Sequence, residues 1–176
     1  KRREADIVDA GWAAGIGIVA ALYGHYGSGD YTRRVVFTCL VGAWSLRLAS
    51  HIFSRVLEPG EDGRYKALRE SWGEKASLKF FLFFHMQGVL VALLSLPFLA
   101  VVFNGEPFGS VFDYIGVFLC IISIIGETIA DQQLAAFRNN PDNKGKVCEV
   151  GFWAFSRHPN YFFEWLHWWA YVALAW

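Results

Sequence analysis

Two long apolar runs, Phe80–Phe103 and Val111–Ala130, constrain this chain more than any other feature. A hydrocarbon layer about 30 Å thick is crossed by roughly 20 helical residues rising about 1.5 Å each, and both runs meet that length. Three further apolar segments, Ile7–Gly24, Val35–Phe53 and Tyr161 to the end, are shorter or carry polar residues. Those three are expected to face protein interior more than lipid. Membrane β-strands would alternate apolar and polar residues over about ten positions, and these runs do not. The pattern predicts an all-α, polytopic transmembrane helical bundle with at least five membrane helices, forming a single integral-membrane domain over 1–176. The first residue is not Met and the last lies inside an apolar run, so segments are expected to be missing at both ends.

Composition agrees with that class. Apolar residues make up 55% of the chain and charged residues 18%, against roughly 45–50% and about 25% in average soluble domains. Sixteen basic and sixteen acidic side chains leave no net charge to attract a nucleic acid. Cys39, Cys120 and Cys148 are far apart, without CxxC or metal-ligand spacing, and Cys39 and Cys120 read as small core residues. No metal site is expected, and no signal peptide is recognisable.

Basic residues divide unevenly between the two sides. The N-terminal tail, the 54–79 loop and the loop at about 132–160 hold thirteen Lys and Arg; the opposite side holds only Arg33 and Arg34, expected in the loop after the first helix. By the positive-inside rule the N-terminus and both long loops are expected in the cytoplasm, as for a bacterial inner-membrane protein. Within 54–79, a Pro-Gly/Asp-Gly turn region precedes Arg64–Trp72, where Tyr65, Leu68 and Trp72 fall at i, i+3, i+7. That spacing suits an amphipathic helix at the membrane surface or a solvated connector.

Ionisable residues inside membrane helices cost about 2.5–3.5 kcal/mol each on insertion scales, which makes them functional candidates. On the fourth helix, Glu127, Asp131 and Arg138 point within roughly 40° of one another at about 100° per residue. The alternative is interfacial snorkelling with an Asp131–Arg138 ion pair. On the last helix, Asn160, Glu164 and His167 share a stripe at i, i+4, i+7, directly after Ser156-Arg157-His158-Pro159. Pro159 suits a first helical turn, Ser156 can cap, and Arg157 and His158 stand beside a helix N-terminus, which attracts anions. On the second helix, Arg47, His51 and Ser54 share a face one turn after Trp44. Asp9, Glu127 and Glu164 are the candidate partners of Arg47. The three stripes are expected to converge on a polar cavity, with an anionic water-soluble cofactor above and a lipophilic substrate below.

GETIADQQLAAFR (126–138), KGKVCEVGFW (144–153) and SRHPNYFFEW (156–165) resemble the C-terminal domain of the steroid 5α-reductase superfamily, in particular a bacterial branch of it. The likeness extends through VDAGW (8–12) and RYKALRESWG (64–73). It implies a membrane helical bundle that reduces an activated C=C bond of a steroid-like or other lipid enone with NADPH. It further implies cofactor-binding roles for Asp131, Arg138, Lys146, Asn160 and Glu164. Lys144, Arg157, His158 and Tyr161 join them as cationic, donor or motif groups at the same mouth. Arg47, His51 and Glu127 are candidate substrate or supporting polar residues, and no residue is assigned as proton donor. Two departures from the family pattern stand out: Phe163 where members usually have Gly, and Glu127 where steroid reductases have Asn. The C-terminal segment completing the family's cofactor site is also absent from the sequence. RHPxY at a helix mouth also resembles S-adenosylmethionine-dependent membrane methyltransferases of the isoprenylcysteine carboxyl type, which lack the 126–138 block. A non-enzymatic transporter or scaffold is the third possibility, without the paired broken helices transporters show.

Overall fold

A computed structural model describes residues 7–57 and 63–176. The Pro59-Gly60 turn and the Lys1-Arg2-Arg3 tail lie outside the described residues. The architecture is all-α and polytopic, with no strand among the described residues. Helices α1 (Ile7–Tyr26), α2 (Tyr31–Val56) and α5 (Val111–Asn139), and the Gly63–Val102 stretch containing α4 (Ala76–Val102), are long and apolar enough to cross a membrane. Between α2 and α4 lies α3 (Gly63–Trp72), and α6 (Pro159–Leu174) follows α5. The sixteen residues of α6 span about 24 Å, less than the other expected spans.

The chain divides into two compact units, 1–105 and 106–176. In the first, α1 and α2 pack as an antiparallel pair against α4. Ala10, Ala13, Ile16 and Ala20 of α1 are buried, opposite Phe37, Val41, Trp44 and Ser45 of α2. The Ser45 hydroxyl donates to the Ala13 carbonyl (2.7 Å), which satisfies a polar group inside the seam. Phe37 meets Phe98 of α4 edge-on at 5.1 Å.

Arg33 and Arg34, expected in a loop, belong to the first turn of α2. Asp30 caps that helix by accepting the Arg33 N–H (2.8 Å), so the helix starts earlier than apolar patterning indicates. Arg33 is fully buried, and the Arg34 guanidinium donates to the carbonyls of Gly24 (2.9 Å) and Gly29 (3.1 Å).

The amphipathic stretch after 63 is helical as its spacing indicates. Its apolar face turns onto α4: Tyr65 is buried with Phe80, and Leu68, Trp72, Phe83 and Phe84 pack around them. Asp9 of α1 accepts from the Tyr65 hydroxyl (2.7 Å) and pairs with Arg64 (3.1 Å), tying α3 to the start of α1.

In the second unit α5 and α6 form an antiparallel pair. A capping box opens α5: Ser110 accepts the Asp113 N–H (3.2 Å), while Asp113 accepts the N–H groups of Ser110 and Gly109 (2.9 Å each). The helix continues past Ala130 to Asn139, because 131–138 holds no breaker and Pro141 disfavours helix at the residue before it. The 132–160 segment therefore begins with two helical turns that carry Arg138.

Close approach of α5 and α6 depends on two glycines. A Cβ on Gly116 would lie 2.6 Å from Leu174 Cγ and 2.9 Å from the Ala170 carbonyl oxygen. One on Gly126 would lie 2.2 Å from the Phe163 ring. Phe163, the departure from the family pattern, thus occupies space that Gly126 leaves open.

Candidate functional site

The facing stripes of α5 and α6 make a polar seam within the second unit. On α5, Cys120, Ser123, Glu127 and Asp131 recur at helical spacing and are all buried. Glu127 keeps 3% of its surface exposed and Asp131 keeps 8%. On α6, Asn160 and Glu164 are half-buried, and His167 and Tyr171 continue the stripe fully buried.

At one end of the seam the Asn160 amide nitrogen donates to Asp131 Oδ1 (3.4 Å). The same side chain's Oδ1 is buried and has no hydrogen-bond partner among the described residues. The Asn160 amide is thus held by its donor end, with its buried acceptor end unpartnered. Glu164 lies one turn further along the same face.

The chain leading into α6 is pinned to α5. Phe152 N–H donates to Gln133 Oε1 (2.9 Å), and the Trp153 indole donates to the Ala130 carbonyl (2.8 Å). Pro159 is the first helical residue of α6, as expected. Ser156, however, is not the cap: it accepts the His158 N–H (3.2 Å), and His158 itself precedes the helix without a side-chain cap bond. Proline's fixed φ sets the first turn, leaving Ser156 to shape the approach to it.

His158 stacks on Tyr161 at 5.2 Å, and both are exposed together with Arg157. Arg138, Lys144 and Lys146 are exposed as well. Their loop is ordered locally: Asn143 donates to the Phe137 carbonyl (3.0 Å), and the Lys146 N–H bonds the Asn143 carbonyl (3.0 Å). Five cationic or donor groups thus stand in the second unit, on the segments flanking the start of α6. Beside that start lies a cleft of about 350 Å³ lined by Phe152, Phe155, Ser156, Pro159, Phe162 and Phe163.

Among these residues the seam unites Asp131 with Asn160 directly. Arg47 and His51, half-buried on α2, belong to the first unit, where Trp44 packs edge-on against Trp12 at 6.5 Å. Ser54, expected to share their stripe, donates to the His51 carbonyl of its own helix (2.7 Å). No group of three or more His, Cys, Asp or Glu able to hold a metal occurs among the described residues.

A family model described as "Protein of unknown function (DUF1295)" matches residues 1–176. The chain belongs to the DUF1295 family. No curated protein and no solved structure matches it. This DUF1295 chain also contains a cluster that residue patterns did not single out. The Cys120 thiol meets His167 Nδ1 at 3.6 Å, and His167 Nε2 is hydrogen-bonded to the Tyr171 hydroxyl. Cys120 reads from sequence as core, and only the helix pairing joins it to His167, whereas Tyr171 lies one turn from His167 on α6 itself. The signal available in the sequence is that 160, 164, 167 and 171 extend one helical stripe.

Proposed function

We propose that this membrane protein is an NADPH-dependent reductase of an activated C=C bond in a lipophilic substrate, such as a steroid-like or other lipid enone. The observation that carries the reading is the buried, unpartnered Oδ1 of Asn160, fixed by the bond from its own Nδ2 to Asp131. A nicotinamide carboxamide presents an NH₂ group with two donors, and Asn160 Oδ1 and the Glu164 carboxylate are acceptors one turn apart. This pair of acceptors therefore fits the group. Arg138, Lys144, Lys146, Arg157 and His158 would take the phosphates, helped by the positive end of the α6 dipole. Tyr161, stacked on His158, holds that imidazole at the mouth.

Bound NADPH would supply the hydride for the reduction. The chain's own part is to fix the ring's face through Asn160 and Glu164, and to admit an apolar substrate from the bilayer. Glu127, buried on the same stripe of α5 as Asp131, supports the polar seam. The likeness of 126–165 to the steroid 5α-reductase superfamily supports the same assignment, and the basic loops support a cytoplasmic cofactor mouth.

The experiment is to purify the protein in detergent and identify retained nucleotide by mass spectrometry, followed by titration. We expect NADPH. Retention of S-adenosylmethionine with no NADPH binding would replace this reading with that of a membrane methyltransferase.

A further inference from the structure

We propose that Cys120, His167 and Tyr171 form a proton relay inside the α5/α6 seam. The three side chains are contributed by two helices and are buried. Each contact joins a group that can both give and take a proton. The Cys120 thiol lies 3.6 Å from one imidazole nitrogen, and the Tyr171 hydroxyl is bonded to the other. Neutral imidazole carries one proton, on either nitrogen, so the array has two complete hydrogen-bonded arrangements. In one, Tyr171 donates to Nε2 and Nδ1–H points at sulfur. In the other, the thiol donates to Nδ1 and Nε2–H points at the phenol oxygen. Passing a proton through the array converts the second arrangement into the first.

The step balances without an added redox partner. The thiol proton moves to Nδ1, the Nε2 proton moves to the Tyr171 oxygen, and that oxygen's own proton leaves to a water molecule. The thiolate regains a proton from the Glu127 carboxyl by way of the Ser123 hydroxyl, and a second water restores the carboxyl. Ser123 and Glu127 continue the stripe from Cys120 at i+3 and i+7, all three buried; the Ser123 hydroxyl donates to the Leu119 carbonyl (2.6 Å) and must turn from it to pass a proton toward sulfur. His167 is seven residues beyond Asn160, about 10 Å deeper along the helix. The seam thus carries protonatable groups from the Asp131–Asn160 pair toward the interior of the membrane.

Packing alone does not call for this chemistry. Gly116, Gly126 and Ala130 already let the helices approach closely, and burying ionisable groups in a membrane helix is costly unless they work. A use for the relay follows from the reductase reading, on which that use rests: each hydride added to a C=C bond must be matched by one proton. The relay itself does not depend on it.

The test is the exchange of the Cys120 S–H proton in D₂O. Infrared spectra of the full chain in lipid nanodiscs, with Cys39→Ser and Cys148→Ser removing the other thiols, isolate its stretching band. We expect the band to disappear within minutes, while mass spectrometry shows backbone amides around Cys120 still protected for hours. Ser123→Ala, which severs the entry, should slow thiol exchange about tenfold or more without accelerating the amides. Tyr171→Phe, which keeps the ring, should shift the S–H band, since the imidazole loses the partner that fixes its tautomer. Thiol exchange no faster than the amides, or unchanged by Ser123→Ala, would overturn the relay. NADPH titration on the same preparation tests the reductase reading separately, so failure of one is not mistaken for failure of the other.

Discussion

The α1/α2 and α5/α6 pairs are both close-packed antiparallel helices, yet their seams are filled with different chemistry. In the α1/α2 pair the buried residues are mostly alanines and Ile16 against Phe37, Val41 and Trp44, with one hydroxyl bonded to a carbonyl and Arg33 buried in the first turn of α2. Between α5 and α6 the equivalent face carries Glu127, Asp131, Cys120, His167 and Tyr171. Small residues permit close approach in both: Gly17 under Ser45 in one, Gly126 under Phe163 in the other. Close packing therefore accounts for the first seam apart from Arg33, buried in the first turn of α2, and leaves the run of ionisable groups along the second unexplained. That contrast is the reason to look for function in α5 and α6, and it can be attacked directly.

The largest effect should come from Glu164→Gln. With NADPH and a lipophilic enone as probe, we expect turnover to fall about a hundredfold or more, because a ring displaced by about 1 Å loses that much. A variant that stays folded and retains full rate would make the second seam as structural as the first.

Next is Gly126→Val. Its added carbons meet the Phe163 ring, and we expect a cost of about 1–3 kcal/mol in thermal or denaturant unfolding. Phe163→Gly in the same chain should recover much of that loss, and a double-mutant cycle measures the coupling. Additive effects would mean that the two residues do not share the space assigned to them.

A smaller change is expected from Arg157→Lys. The charge survives but the planar fork does not, so nucleotide affinity should weaken several-fold in a binding titration. The smallest belongs to the other unit. Tyr65→Phe removes the hydroxyl bond to Asp9 and should cost about 1 kcal/mol of stability, with nucleotide affinity unchanged. A loss of affinity there would break the functional division between the units.

Much of this was legible in the sequence, for a physical reason. Helical periodicity places residues on faces, so the Asp131 and Asn160 stripes could be read before any contact was known. Periodicity also marked Tyr65, Leu68 and Trp72 as one face, although not that α4 would cover it. What could not be read is pairing between distant segments. Cys120 and His167 are forty-seven residues apart, and only antiparallel packing of α5 on α6 brings thiol to imidazole. Phe163 stood out as a departure from a family pattern; its explanation lies across the seam at Gly126. Local chemistry misled in two places. Ser156 has a capping side chain, but Pro159 fixes the helix start beyond its reach. Arg33 and Arg34 read as a loop because they precede the apolar run at Val35, yet Asp30 caps the helix ahead of them.

The most direct test is isothermal titration of NADPH into the full-length protein and its folded Asn160→Ala variant. Asn160 donates to Asp131, and the proposed function gives its other end to the nicotinamide, so we expect measurable NADPH binding that the substitution abolishes or weakens at least about tenfold, with thermal stability changed by no more than about 1 kcal/mol. Equal affinity in the two proteins, or no NADPH binding by the unaltered chain, would contradict the assignment.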